Sequence, residues 1–219
     1  MREIAVPIVI ARAPMRTVRP SGLTQRWAQP AKELKRLRDN GVIRRLAHGH
    51  YIAPPDGAVA RDWRPDLETA AMALATARYG DRVPVLMGMG AARFHRAVPR
   101  AFDRTVVAVP EQAHRVDLDD ELGRVVFATR DTALLDARLE EFGIGRALVA
   151  TPEQTVLDVA HRPEWGGGDG MAAETIRALW PRVDRVRLDR LAVRQGRVAA
   201  RDRAIRVATR EPVTKESQQ

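Results

Sequence analysis

Apolar residues recur at helical spacing in some stretches of the chain and in short runs in others. Leu34 and Leu37, three residues apart, share one face of a helix predicted over 30–40. Pro30 suits the first helical position and Gly41 the stop. Upstream, 7–13 reads as a short helix, 15–18 as an extended piece, and 21–27 as a second short helix with Ser21 as its N-cap. Downstream, 42–46 and 50–53 read as two strands around His48-Gly49, where glycine supplies the permissive turn conformation. Pro54-Pro55-Asp56-Gly57 punctuates the end of the unit. The order helix, strand, helix, turn, helix, hairpin is that of a winged helix-turn-helix, whose second motif helix enters the major groove.

The pattern then changes. A helical period spans 66–79, followed by a strand at 83–87 and a short helix at 91–97. Strands are predicted at 105–109, 125–128 and 148–150. Thr151 caps the next helix, with Pro152 at its first position and Gln154 completing a capping box. Val156, Leu157, Val159 and Ala160 form that helix's apolar face. Further helices are expected at 171–179, 188–195 and 198–208, and the polar tail after Pro212 is expected to fray. The fold class is α+β. A winged helix-turn-helix domain occupies 1–56, and a mixed α/β body with C-terminal helices occupies 57–219.

Charge sharpens this division. The 219 residues carry a formal net charge of +9, with three lysines and 34 arginines. Residues 1–55 hold a net +8, residues 56–164 a net −4 and residues 165–219 a net +5. A basic head on a near-neutral body suggests a nucleic-acid arm, although a solvated Arg-rich surface accounts for the raw charge equally well. The chain has no cysteine, which excludes disulfide frameworks, thiol nucleophiles, zinc ribbons and iron–sulfur clusters. No uncharged run approaches the roughly 20 residues needed to cross a bilayer, and a cytoplasmic location with no membrane partner is expected.

The helix over 30–40 carries the best candidate chemistry. Its leucine face is matched on the opposite side by Lys32, Lys35, Arg36 and Asp39. Arg can pair with guanine O6/N7, Lys more often meets phosphate, and Gln29 at the amino end can reach a base edge. Arg44, Arg45, His48 and His50 of the hairpin are read as phosphate contacts, and Tyr51 as a core anchor under the wing. His48-x-His50 has no third ligand nearby, so no metal is expected.

Enzymatic patterns are missing or incomplete. Gly88-Met89-Gly90 opens like a dinucleotide fingerprint, but Arg93 stands at the third glycine position. There is no Gly-Lys pair for a P-loop and no Gly-x-Ser-x-Gly elbow. Asp117-Leu118-Asp119 lacks the Gly-Ser motif of a nucleotidyltransferase and reads as a solvated loop. No lysine lies between Lys35 and Lys215 to serve a metal-dependent nuclease. His161 is read as a cation at a helix C-terminus. No catalytic residue and no cofactor are expected.

Five segments carry a family resemblance. Arg19-Pro20-Ser21-Gly22-Leu23, Gln29-Pro30-Ala31-Lys32-Glu33-Leu34-Lys35-Arg36-Leu37 and Gly41-Val42-Ile43-Arg44-Arg45-Leu46-Ala47-His48-Gly49-His50-Tyr51 resemble the winged-helix domain of AbiEi-type antitoxins of type IV toxin–antitoxin systems. In the body, Gly90-Ala91-Ala92-Arg93-Phe94-His95 and Thr151-Pro152-Glu153-Gln154-Thr155-Val156-Leu157-Asp158 are similar to two further segments of that family. The resemblance covers about 17–165. It implies a repressor that binds double-stranded DNA at its own operator and antagonises a nucleotidyltransferase toxin. The DNA-contacting set is then Arg19, Ser21, Gln29, Lys32, Lys35, Arg36, Arg44, Arg45, His48 and His50. Thr151, Thr155 and Asp158 take structural roles in capping and helix-end hydrogen bonds. A solitary regulator without a toxin, or a nucleic-acid-processing enzyme, stands as the alternative, and the oligomeric state is open.

Overall fold

The structure is a computed structural model that describes residues 5–58, 60, 62–98 and 102–210. The polar tail expected to fray lies outside the described residues. The described chain is mixed α+β, with eight helices and two sheets.

The head opens with α1 (Ile8–Ala11), a 3-10 turn at Pro14–Arg16, β1 (Thr17–Val18) and a second 3-10 turn at Pro20–Leu23. Then come α2 (Pro30–Asp39), β2 (Arg44–Ala47) and β3 (His50–Ile52). The three strands form an antiparallel sheet in the order β1-β3-β2. Ile10, Leu23, Leu34, Leu37 and Ile43 are buried together beneath it. Gly41 follows α2 with φ +69°, a conformation that L side chains resist. The helix predicted over 21–27 is instead the short 3-10 turn, and Arg19 rather than Ser21 occupies its N-cap position. Gly22 inside the segment and its short length favour i to i+3 bonding, seen as Gly22 N–H to the Arg19 carbonyl at 3.1 Å.

The body begins with α3 (Leu67–Tyr79), capped by the Asp66 carboxylate, which accepts from the Thr69 N–H at 2.7 Å. Thr69 through Thr76 are all buried. A helix apolar on every side must be covered on every side. Accordingly α3 lies against β1, β2, β3 and the Pro14–Arg16 turn of the head, and also against the body sheet. That sheet contains β4 (Val85–Met87), β5 (Arg104–Val109), β6 (Val116–Leu118), β7 (Gly123–Thr129), β8 (Ala137–Glu141) and β9 (Arg146–Ala150), in the order β6-β7-β5-β4-β9-β8. Strand β4 runs parallel to β9 and antiparallel to β5, while β5 and β7 are parallel. Asp117 and Leu118 are therefore part of strand β6 rather than a solvated loop.

Between β4 and β5 lies α4 (Gly88–Phe94). Its two glycines serve packing. A Cβ at Gly88 would meet the Trp165 carbonyl oxygen at 2.6 Å, and one at Gly90 would collide with Thr105 and Leu86. The last four helices, α5 (Pro152–His161), α6 (Asp169–Leu179), α7 (Arg185–Arg194) and α8 (Val198–Thr209), bury their own core around Val156, Leu157, Ile176, Leu179 and Leu188.

Thr151 caps α5 as expected, its hydroxyl accepting from the Gln154 N–H at 3.3 Å. The reciprocal half of the capping box is absent. The Gln154 amide turns away, accepts from the Asp136 N–H at 3.0 Å and donates to Asp158 at 3.1 Å. Asp158 does more than finish a helix. It is fully buried, and one of its oxygens receives Arg130 and Arg197, each at 3.0 Å. Burial pushes its carboxyl pKa up, and the two guanidiniums oppose that shift. His161 ends α5 as expected, and burial with the nearby Arg197, Arg162 and Arg130 lowers its pKa, which weakens it as a helix-end cation.

Candidate nucleic-acid interface

Helix α2 presents the predicted two-faced surface. Leu34 and Leu37 are buried, whereas Lys32, Lys35 and Arg36 are exposed. Lys32 has no hydrogen-bond or ion-pair partner among the described residues. Lys35 lies 3.4 Å from Asp39, and Arg36 donates through Nε and Nη2 to Glu33 at 3.1 and 2.9 Å. These pairs are solvent-facing contacts within one helix, weak in water, and a phosphate can displace them. The neighbouring Asp39 carboxyl is held below its ordinary pKa by its hydrogen bond to Arg38 and by Lys35. Gln29, at the amino end, is exposed. Arg26, in the segment leading into α2, is also exposed, and its side chain has no partner among the described residues. No apolar period marks its segment, so nothing in the sequence singled it out.

The hairpin departs from expectation. Arg44 donates to the carbonyls of Ala60 and Trp63 at 3.2 and 3.3 Å and forms an ion pair with Asp120. Arg45 pairs with Asp119, which strengthens its hold on its proton. Both arginines turn toward acids of the body and line a cleft of about 280 Å³ with them. They are engaged in joining head to body, so the reading of them as available phosphate contacts is corrected. His50 is 5% exposed, and its Nδ1–H donates to the His48 carbonyl at 2.9 Å. That bond leaves Nε2 buried without a partner, and burial lowers the ring's pKa. An imidazole covered in this way cannot reach a phosphate, so His50 leaves the candidate set. His48 stays exposed at the turn. Tyr51 packs against the head core.

Arg19 and Ser21 line a separate cleft of about 290 Å³, shared with Thr76 and Gly80 at the end of α3. The predicted ten residues thus divide. Gln29, Lys32, Lys35 and Arg36 gather on or beside one helix, His48 caps the hairpin, Arg19 and Ser21 border a cleft, Arg44 and the exposed Arg45 pair with acids of the body, and His50 is buried. Among the described residues no group of three or more His, Asp or Glu side chains could hold a metal, and no helix is long and apolar enough to cross a membrane.

No protein-family model matches the chain, and a search of curated proteins returns no match. Among solved structures the chain is similar to the RV2827C protein from Mycobacterium tuberculosis, with a TM-score of 0.59 and 23% sequence identity over 88% of this chain and 71% of that one. At that identity the likeness shows a shared fold.

Proposed function

We propose that the chain is a DNA-binding transcription regulator whose head is a winged helix-turn-helix, with α2 as the helix that enters the major groove. The observation that carries this reading is the α2 surface, where Lys32, Lys35 and Arg36 face solvent opposite buried Leu34 and Leu37. The order of α1, β1, α2 and the β2–β3 hairpin supports it, although a 3-10 turn stands where the first motif helix was expected. The hairpin acts mainly as a brace, because Arg44 and Arg45 are held by Asp120 and Asp119. His48 remains the hairpin residue able to approach a phosphate.

On the residue resemblance, we further propose that this regulator is a type IV antitoxin that represses its own operon and opposes a nucleotidyltransferase toxin. Affinity for its own promoter should fall steeply with salt. With about six phosphates contacted, log K against log[salt] has a slope near −5. A flat salt dependence contradicts electrostatic anchoring. Co-expression with a nucleotidyltransferase encoded beside it tests the antitoxin half: rescue of growth supports that half, and continued toxicity contradicts it.

A further inference from the structure

The two body segments singled out by sequence meet at one cavity of about 360 Å³. His95, just after α4, donates from Nε2 to the Ala150 carbonyl at 2.7 Å, directly before the Thr151 cap of α5. Three guanidiniums line this cavity, those of Arg96, Arg138 and Arg182, against one carboxylate, Glu140. Arg182 uses Nη1 on the His95 carbonyl at 2.8 Å. The side chains of Arg96 and Arg138, both exposed, have no hydrogen-bond or ion-pair partner among the described residues, although Glu140 lines the same space. Arg138 and Glu140 are two apart on β8 and point to the same side of the strand.

Arg96 is placed at a conformational cost. The Ala97 N–H reaches the Ala92 carbonyl and the Arg96 N–H reaches the Arg93 carbonyl, both at 2.8 Å. This double bond pattern ends α4 in a Schellman motif, whose left-handed position is normally glycine. Here that position is Arg96, with φ +57°. An arginine held where glycine fits best, with its side chain unpaired at the edge of a cavity, is consistent with a binding role there.

We propose that this cavity binds a nucleoside polyphosphate. The space exceeds what one phosphate fills and falls within the range of about 300–1,000 Å³ typical of small-molecule sites. Guanidiniums match phosphate oxygens in charge and planar geometry. Phe94, also in the lining, offers an apolar wall for a base. Glu140 would repel a bare anion but can accept from a sugar hydroxyl or a base amino group. The proposal does not depend on DNA binding, since no head residue lines the cavity.

Calorimetric titration of the full chain with ATP, GTP, pyrophosphate and inorganic phosphate tests it. A nucleotide should bind saturably at one per chain, pyrophosphate more weakly and phosphate weakest. Arg138→Ala and Arg96→Gly should each weaken nucleotide binding by about tenfold or more. Arg96→Gly should do so with an unchanged or higher Tm, because glycine relieves the left-handed backbone. Absence of saturable nucleotide binding, phosphate binding as tight as nucleotide, or unaltered affinity in Arg96→Gly would each overturn the proposal. Displacement of the nucleotide by a short random-sequence duplex would overturn it too, reassigning the cavity to the DNA backbone.

Discussion

The Asp119 N–H at the end of β6 donates to the Leu46 carbonyl of β2 across 2.8 Å. Its side chain also pairs with Arg45, and the adjacent Asp120 pairs with Arg44. The basic hairpin and an acidic turn of the body thus form one joint. Beneath it, Met15, Leu46, Ala47 and Ile52 of the head are buried in the same core as the body sheet.

The head should therefore not fold well by itself. Residues 1–57 expressed alone would expose that apolar face. They are expected to lack the cooperative thermal unfolding that circular dichroism would record for the full chain. A fragment melting sharply near the full chain's Tm would contradict the shared core.

Asp158 should be among the most sensitive polar positions. Removing it leaves Arg130 and Arg197 partly buried near each other without their common counter-ion. Asp158→Ala is expected to cost about 3–5 kcal/mol, measured by denaturant unfolding. A loss below about 1 kcal/mol would mean that water compensates the guanidiniums.

Gly90 should resist even the smallest side chain. Gly90→Ala pushes a methyl into Thr105 and Leu86, and overpacking of this kind costs about 1–3 kcal/mol. A dinucleotide cradle would instead tolerate alanine in the absence of ligand, leaving the unfolding midpoint unchanged.

Stability should fall on mild acidification. Burial depresses the pKa values of His50 and His95 in the folded chain. The unfolded chain then binds protons first, so this contribution is fully present above about pH 6.5 and is lost as pH drops through the lower folded values. The Tm should be level near neutrality and decline below about pH 6.5. The decline should be shallower in His50→Gln, and an identical profile in that variant would remove His50 from the account.

The sequence showed most of the body's inner strands and missed its outer ones, for a physical reason. Strands β4, β5, β7 and β9 lie inside the sheet and read as Val-, Leu- and Ala-rich runs. The two strands that went unpredicted, β6 and β8, are its edges. Each pairs on one side only, and their Val-Asp-Leu and Ala-Arg-Leu-Glu-Glu sequences carry the charges that blunt an edge. The leucine and cation faces of α2 were likewise local and legible. The fate of Arg44 and Arg45 was not, because their partners lie 76 and 74 residues away. His50 was misjudged because a three-residue strand has too little alternation to reveal which side is covered.

The most direct test of the central claim is a quantitative footprint of the full chain on its own promoter, comparing wild type with two double variants at one salt concentration. Lys35→Ala with Arg36→Ala should weaken protection markedly, with Arg36 alone costing about 1–3 kcal/mol if it reads a guanine. Arg44→Ala with Arg45→Ala should leave the protected sequence the same and act mainly through stability. Unchanged protection in the α2 variant, with protection lost in the hairpin variant at full folding, would contradict the assignment of α2 as the DNA-reading element.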